Sequence, residues 1–518
     1  MRKAGILMAI SSLPSEYGIG CFSKEAYDFV DDLVRAGQSV WQILPLGPTS
    51  YGDSPYQSFS TFAGNPYFID PKTLIEKKLL TKTQCDSFDF GRDPKKVDYE
   101  KIYYNRFKLL KKAFQKAELT KDPEFSDFVK ENEHWLPDYA LYMAIKDSYG
   151  GKSWLLWDEE IRLRKKAALK AYREKFAKEI LFYEFLQYEF SLEWRKLKKY
   201  ANDKGIKITG DIPIYVALDS ADTWANPELF QFDKNYNPTK VAGCPPDSFS
   251  ADGQLWGNPL YDWEYHKKTG YAWWMKRLKH CFSLYDIVRI DHFRGFDEYY
   301  AIPYPAENAK NGKWEKGPGF ELFSVMKKEL GAKEVIAEDL GFLTKSVLRL
   351  VKRTGYPGMK VLQFAFDSRE ESDYLPHNYI PNSVVYTGTH DNDTTLHWFE
   401  TLPARDRKFA EKYLGITTEF SNRKKAAGSD PASAAKRVLG KKDIPWEFIK
   451  AAYASVSELA VIPMQDVLTL GGEARMNTPS TLGGNWEWRM KAGAFTPAKQ
   501  KKLAELAKLY GRKPSQPF

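Results

Sequence analysis

YDIVRID (residues 285–291) and KEVIAED (residues 333–339) are short apolar runs rich in β-branched residues, and each ends on carboxylates. Six similar runs occur along the chain: GILMAI (5–10), SVWQIL (39–44), IKITGDI (206–212), GMKVLQFA (358–365), SVVYTGT (383–389) and ELAVIPM (458–464). Continuous apolar runs are typical of strands that are covered on both faces, and helical patterns lie between several of them. Eight such strands separated by helices predict an α/β fold, a (β/α)8 TIM barrel.

The spacing of the runs predicts a first insertion into the barrel. About 160 residues separate the second run from the third, far more than a single crossover helix needs. Within this gap, apolar side chains recur at steps of three or four, at Phe182, Leu186, Phe190, Trp194 and Leu197. We therefore predict a helical insertion subdomain over about residues 70–200, after the second strand.

A second gap, of about 70 residues, separates the third run from the fourth. It is rich in Pro, Gly, Asn, Asp and Trp, so we predict a long, loop-rich insertion over about residues 213–280 that covers the active site. The chain has no internal repeat, low-complexity tract or linker that would set off a separate binding module. Residues 1–518 are therefore expected to form a single catalytic (β/α)8 domain with insertions.

The composition is that of an ordinary soluble globular protein, since 43% of the 518 residues are hydrophobic and 28% are charged. No run approaches the ~18 apolar residues of a membrane span, so no membrane partner is expected. The formal charge of +9 would suit nucleic-acid binding. Much of the basic excess is interleaved with glutamate in helical stretches such as RLRKKAALKAYREKFAKE, which favours a solvated helix face and no nucleic-acid partner.

The chain begins with MRKAGILMAISSLPS, which imitates a signal peptide. Its apolar run is at the short edge for such a signal and no convincing A-x-A site follows, so we favour a buried N-terminal strand. Four cysteines lie far apart, without a CxxC pair or histidines at zinc spacing, at Cys21, Cys85, Cys244 and Cys281. We interpret them as free thiols in a reducing compartment and expect a cytoplasmic protein. The oligomeric state is left open.

Polar residues, predominantly carboxylates, close the predicted strands at their C-terminal ends, where a barrel of this kind carries its chemistry. They are Asp211, Asp291, His292, Glu338, Asp339, His390, Asp391, Gln465 and Asp466. A single aspartate at a strand end commonly just caps the following helix. Several carboxylates on one rim repel one another, and proteins tolerate that cost where chemistry requires it. We therefore predict the active site at this rim.

The two quoted runs indicate how the chemistry is arranged. Side chains two apart on a strand share a face, so Arg289 should lie beside Asp291, lower its pKa and keep it ionised, as a nucleophile requires. The fourth and fifth strands would be barrel neighbours ~4.8 Å apart. Carboxylates at their ends, Asp291 and Glu338, can therefore approach the ~5–5.5 Å separation of retaining glycosidases more easily than the ~6.5–9.5 Å of inverting ones.

Motifs along nearly the whole chain resemble those of amylomaltase or disproportionating enzyme, glycoside hydrolase family 77, which is related to the α-amylases. In the family's order they are SSLPSEYGIG, GDSPYQSFSTFAGNPYFID, GDIPIYVALDSADTWANPELF, GCPPDSFSADGQLWGNPLYDW, RIDHFRGF, VIAEDLG, TGTHDNDTT and PMQDVLTLGGEARMNTPSTLGGNWEWR. The resemblance implies a 4-α-glucanotransferase acting on maltooligosaccharides and other α-1,4-glucans, by retaining double displacement, with no cofactor.

The resemblance also implies roles for individual residues. Asp291 is similar to the family's nucleophile, Glu338 to its general acid/base and Asp391 to its third carboxylate, which fixes sugar hydroxyls. Four further residues resemble binders around the cleaved linkage: Asp211, Arg289, His292 and His390. Tyr56 and Trp256 resemble sugar-stacking residues, because flat amphipathic side chains match the C–H faces of glucose; the alternative is that each only packs its own loop.

Three departures from the family's pattern are visible: His397 and Ser480 stand where glycine is expected, and Cys244 where an aliphatic residue is common. The resemblance implies no metal; clustered carboxylates can bind a divalent ion, but Arg289 and two nearby histidines argue against one. Two alternatives remain open, a plain α-glucan hydrolase with the same three carboxylates and a non-catalytic glucan-binding barrel. The GCPPDSFSADGQLWGNP loop favours the transferase, and the presence of all three carboxylates favours an enzyme.

Overall fold

The computed structural model describes residues 2–50, 52–246, 250–341, 343–418 and 438–512. Within these ranges the strands are Lys3–Leu7 (β1), Val40–Gln42 (β2), Lys207–Pro213 (β3), Lys240–Cys244 (β4), Gln254–Pro259 (β5), Ile287–Asp291 (β6), Glu298–Pro303 (β7), Lys313–Lys316 (β8), Glu334–Ala337 (β9), Gly358–Val361 (β10), Ser383–Tyr386 (β11), Thr417–Thr418 (β12), Val438–Leu439 (β13) and Leu459–Pro463 (β14).

The α-helices in the same ranges are Lys24–Arg35 (α1), Pro71–Glu76 (α2), Lys82–Asp86 (α3), Tyr99–Phe114 (α4), Pro123–Glu131 (α5), Leu136–Ser148 (α6), Glu159–Arg162 (α7), Lys166–Lys175 (α8), Ala177–Asp203 (α9), Ala221–Ala225 (α10), Trp263–Lys268 (α11), Ala272–Leu284 (α12), Phe320–Leu330 (α13), Lys345–Thr354 (α14), Thr395–Thr401 (α15), Ala404–Leu414 (α16), Ile444–Ala454 (α17), Met464–Leu468 (α18) and Pro497–Leu509 (α19). In those described ranges, none of the helices is both long and apolar enough to cross a membrane.

Eight strands close into a parallel barrel in the order β1-β14-β11-β10-β9-β6-β3-β2. β1 closes the barrel against β14, from Lys3 opposite Leu459 to Leu7 opposite Pro463. Each of the eight predicted runs overlaps one of these strands, and the (β/α)8 prediction and the N-terminal strand are both confirmed. The runs are continuously apolar because inner side chains fill the barrel while outer ones meet helices.

The helical insertion lies between β2 and β3 and contains α2 to α9. Asp70 begins α2 by accepting a hydrogen bond from the backbone N–H of Lys72, with Pro71 in the first helical position. The long helix α9 buries the apolar positions read from the sequence, which are Phe182, Leu186, Phe190, Trp194 and Leu197. α9 packs on α6 and on the barrel strand β3 that follows it, and the predicted helical insertion is confirmed.

The insertion after β3 is more regular than a loop. β4 and β5 join β7 and β8 in a four-stranded antiparallel sheet of order β5-β4-β7-β8, and α10, α11 and α12 lie in the same stretch of chain as β4 and β5. The sequence did not predict this sheet, because its strands are only four to six residues long and β4 and β5 precede β6 in the chain whereas β7 and β8 follow it. Residues 247–249, within the predicted loop, lie outside the described residues.

Candidate active site

Asp291 and Glu338 terminate two neighbouring barrel strands. Asp291 is the last residue of β6, and Glu338 directly follows Ala337, the last residue of β9. The strands are parallel with Ile290 opposite Ala337, so Asp291 and Glu338 are the next pair in register. The prediction that the fourth and fifth strands are neighbours is confirmed, and the two carboxylates leave the barrel side by side.

The turn after β6 ties these strand ends together. His292 has a left-handed backbone, with φ 53° and ψ 48°, a conformation that is uncommon for a residue other than glycine and recurs at functional sites. Its N–H donates a 2.7 Å hydrogen bond to Oε2 of Glu338, and the N–H of Leu340 donates one of 2.8 Å to Oε1. The backbone therefore orients both carboxyl oxygens of Glu338 and leaves other lone pairs available for proton transfer.

The two carboxyls differ in their affinity for a proton. Burial, together with the negative charge of Asp291, raises the pKa of Glu338 to about 7, against the opposing effect of Arg289 and the two N–H donors. Burial also raises the pKa of Asp291 to about 6, although Nη2 of Arg289 lies 3.0 Å from its Oδ1. The pairing of Arg289 with Asp291 is confirmed, but the expected net lowering of the pKa of Asp291 is wrong, because desolvation outweighs the neighbouring charge.

Beneath the carboxylates lies a buried ion pair. Nη1 of Arg289 contacts both carboxylate oxygens of Asp211, at 2.8 and 2.6 Å, and both side chains are buried. The hydroxyl of Tyr56 donates a 2.8 Å hydrogen bond to the same carboxylate. Asp211 therefore holds Arg289 in place beside Asp291, and the side chains of Asp211 and Arg289 are almost completely shielded from solvent.

Asp391 reaches the site from the segment after β11. Its Oδ1 accepts a 2.7 Å hydrogen bond from Nδ2 of Asn477, and its Oδ2 lies 3.3 Å from Nε2 of His390. Burial tends to raise the pKa of Asp391, but the charge of His390 and these hydrogen bonds hold it well below its usual range. With 44% of its side chain exposed, Asp391 is an ionised carboxylate open to the cleft.

Two aromatic side chains predicted from the loops contact this constellation. Tyr56 stacks on the ring of His390, with centroids 5.0 Å apart and planes at 20°. Trp256, in β5, meets the ring of His292 edge to face, with centroids 4.9 Å apart. Each aromatic therefore lies against a residue adjacent to one of the three carboxylates, and packing within its own loop does not describe its surroundings fully.

The imidazole of His292 is neutral at physiological pH, because burial, aided by the charge of Arg294, lowers its pKa to about 3. Within the residues that the structure describes, its Nε2 is buried and has no hydrogen-bond partner. A buried polar atom without a partner is rare in folded proteins and calls for an explanation. Because His292 lies beside Trp256 and Glu338, a hydrogen bond from its Nε2 to a hydroxyl group of a bound ligand is an explanation that fits.

Direct contacts join the nine predicted site residues into two groups, which meet where Asp291 is followed by His292 in the chain. The first group is Asp291, Arg289, Asp211, Tyr56, His390 and Asp391, and the second is Glu338, His292 and Trp256. Two other rim carboxylates serve the fold. Asp339 accepts the backbone N–H of Met359, and Asp466 accepts hydrogen bonds from Thr387 and Thr395. Neither residue caps the helix that follows its own strand, since Thr344 caps α14 and Asp466 lies within α18; each instead ties its strand end to neighbouring segments.

Sequence reasoning missed the residues that orient Asp391. Besides Asn477, Nη2 of Arg475 donates a 3.1 Å hydrogen bond to the carbonyl oxygen of Asp391. Both lie within the GGEARMNTPSTLGG segment, where polar residues among glycines in a long loop were the only available signal. Across the described ranges, no group of three or more His, Cys, Asp or Glu side chains is placed to hold a metal ion.

Comparison with known proteins gives consistent results over the full length. A family model described as 4-alpha-glucanotransferase matches residues 8–495. The 4-alpha-glucanotransferases of Clostridium butyricum and Streptococcus pneumoniae serotype 4 are 48% and 50% identical, covering 98% and 99% of this chain and 100% and 97% of their own lengths. The amylomaltase of Streptococcus agalactiae, solved with acarbose, superposes with a TM-score of 0.91 at 42% identity, over 99% of this chain and 100% of that one.

Proposed function

Because the chain belongs to glycoside hydrolase family 77, the 4-alpha-glucanotransferases, we propose that Asp291 and Glu338 cut an α-1,4-glucan by retaining double displacement and pass the piece to another glucan. One observation carries the assignment of roles. The two carboxyls leave neighbouring strands in register, and the charge of Asp291 helps to keep the proton on Glu338 near neutral pH. An ionised nucleophile beside a protonated acid is what the first step requires.

In the first step Glu338 transfers its proton to the glycosidic oxygen while the carboxylate of Asp291 attacks C1 of the donor sugar. The C1–O bond breaks and a bond from C1 to Asp291 forms. The reducing-end fragment leaves with the proton as its new 4-hydroxyl, and Glu338 is left ionised. The N–H groups of His292 and Leu340 support this step, because they stabilise the carboxylate as its charge develops.

In the second step the ionised Glu338 takes the proton from the 4-hydroxyl of an acceptor, which is glucose or another glucan, and that oxygen attacks C1. The bond to Asp291 breaks, the carboxylate is restored, and the anomeric configuration is retained after two inversions. Arg289 supports both steps from below. Its guanidinium lies 3.0 Å from Asp291 and stabilises the anionic carboxylate both before attack and on departure.

We assign sugar binding to the groups that face the cleft around this pair. The exposed carboxylate of Asp391 accepts hydroxyls of the sugar under attack, and Tyr56 forms the adjoining floor. His292 offers its unpartnered Nε2 to a hydroxyl, and Trp256 beside it supplies a stacking surface. Asp211 acts indirectly, since it is buried and engaged by Arg289 and Tyr56.

The proposed partners are maltooligosaccharides and other α-1,4-glucans, in agreement with the S. agalactiae amylomaltase, which was solved with acarbose. We further propose that residues 1–518 act as one catalytic unit, because the insertions after β2 and β3 pack against the barrel and contribute Trp256 to its mouth. A cytoplasmic location is proposed from the buried thiols at Cys21, Cys85 and Cys281.

Incubation of the purified protein with maltotriose tests the function. Transfer predicts glucose and a ladder of longer maltooligosaccharides with almost no gain in reducing ends, because each event breaks one linkage and makes another. Chromatography gives the products and a reducing-sugar assay counts the ends. A steady rise in reducing ends without longer products would identify a hydrolase, and no conversion at all would indicate a non-catalytic barrel.

A further inference from the structure

His397 lies outside the cleft, in the short helix α15, four residues after Asp393. Its Nδ1 is 2.6 Å from Oδ2 of Asp393. Thr394 caps the helix by accepting the backbone N–H of His397, which holds the residue in position. The proposed mechanism assigns no role to His397 or Asp393, although Asp393 contacts Arg475, which lies against Asp391 of the site.

A continuous set of contacts joins this pair to the third carboxylate. Nη1 of Arg475 lies 3.7 Å from the same Oδ2 of Asp393. The other donors of Arg475 reach the backbone carbonyl of Asp391, at 3.1 Å, and that of Asn477, at 2.8 Å. Asn477 completes the connection by donating a 2.7 Å hydrogen bond to Oδ1 of Asp391.

We propose that His397 is a positioning residue for the transfer reaction. By its contact with Asp393 it fixes the position of the Arg475 side chain. Arg475 and Asn477 in turn orient the carboxylate of Asp391 toward the sugar. The inference rests on the proposed function of this site. Asp393 offers one oxygen, Oδ2, to both His397 and Arg475, so loss of the histidine changes where that oxygen lies. Its other oxygen is already used by the backbone N–H of Thr394.

The expected size of the effect on activity follows from the solvent exposure of the two side chains. The side chain of His397 is 43% exposed and that of Asp393 16%, so solvent screens their attraction. We therefore expect removal of the imidazole to lower kcat/KM by roughly three- to fivefold. The loss should appear in kcat more than in KM, because an aspartate that is slightly misaimed still permits binding but stabilises the transition state less well.

Gly472 allows the same contact to be broken from the other side. A Cβ at this position would lie 2.6 Å from Nδ1 of His397 and within 3.0 Å of two ring carbons. The methyl group of alanine would displace the ring from Asp393, since the three atoms nearest to it all belong to the imidazole of His397. Gly472→Ala is therefore expected to reproduce the effect of His397→Ala, and to have no further effect once the imidazole is absent.

The experiment measures kcat and KM for maltotriose disproportionation in seven proteins: wild type, His397→Ala, His397→Gln, Gly472→Ala, Asn477→Ala and the two double variants His397→Ala/Gly472→Ala and His397→Ala/Asn477→Ala. Glutamine retains a hydrogen-bond donor within reach of Asp393, so we expect it to stay within about twofold of wild type. The kcat/KM of His397→Ala and that of Gly472→Ala should fall by the same factor, and the kcat/KM of their double variant should fall no further than that of either single variant. The His397→Ala/Asn477→Ala pair should likewise lose less than the product of its single effects.

Three outcomes would overturn the inference: wild-type kcat in His397→Ala, equal losses in the alanine and glutamine variants, or independent effects of His397→Ala and Gly472→Ala. Melting temperatures distinguish a loss of stability from a loss of positioning. General damage to the fold would lower Tm, but it would produce neither the recovery of activity in His397→Gln nor the non-additive effects in the double variants. Failure of the proposed function is distinguishable, because the wild type itself would then lack transfer activity.

Discussion

Replacing Glu338 with glutamine removes the acidic proton from the site while preserving the shape of the side chain. The first step then lacks its proton donor for natural glucans, whose leaving group is a sugar hydroxyl. An activated donor such as α-maltosyl fluoride needs no proton, because fluoride leaves as an anion. Glu338→Gln should therefore load this donor onto Asp291 yet fail to turn over maltotriose.

The structure allows the size of both effects to be estimated. Loss of general acid catalysis lowers turnover of natural glucans by roughly 100- to 10,000-fold. Oε1 and Oε2 of Glu338 each accept a backbone N–H, from Leu340 and His292 respectively. Glutamine can accept only one of these bonds and turns its NH2 group toward the other, which costs ~1–3 kcal/mol of folding free energy. The variant should therefore be folded but melt at a lower temperature than the wild type.

Mass spectrometry of the intact protein after incubation with the fluoride measures the adduct, and product chromatography measures turnover. Asp291→Asn is the matched control, since it removes the nucleophile and should give neither adduct nor products. Full turnover of maltotriose by Glu338→Gln would refute the acid/base assignment. An adduct in the Asp291→Asn control would refute the nucleophile assignment.

Three further predictions concern the pH dependence of activity, the side chain of Trp256 and the need for a metal ion. The kcat/KM for maltotriose should peak between pH about 6 and about 7, because Asp291 gains a proton below the first value and Glu338 loses one above the second; a flat profile from pH 5 to about 9 would contradict these pKa shifts. Trp256→Ala removes a stacking surface that we value at ~1–3 kcal/mol and admits water to the glucosyl-enzyme, so turnover should fall and the share of events creating a reducing end should rise; an unchanged ratio would make Trp256 loop packing. Activity should survive dialysis against EDTA, since protein groups supply the acid and the charge stabilisation, and inactivation reversed by calcium would show a metal requirement.

Much of the fold follows from local pattern. The eight apolar runs each overlap a barrel strand because strands covered on both faces are apolar throughout, and that signal needs only a few consecutive residues. The helical spacing from Phe182 to Leu197 likewise predicts α9. The antiparallel sheet of β4, β5, β7 and β8 escaped prediction, because its short strands acquire their pattern from partners on the far side of β6.

The sequence by itself determined the barrel, the position of the carboxylates at strand ends and, by resemblance, the family. Only the tertiary structure decided how each carboxylate is engaged: Asp339 and Asp466 accept hydrogen bonds from backbone and hydroxyl donors, whereas the side chain of Asp391 is 44% exposed and accepts one from Asn477. It also reversed the expected pKa shift of Asp291, because burial outweighs the charge of Arg289. The periodicity of apolar residues and the ends of strands can be recognised from neighbouring residues in the sequence. Desolvation and hydrogen-bond partners instead depend on groups that are distant in the chain and meet only after folding.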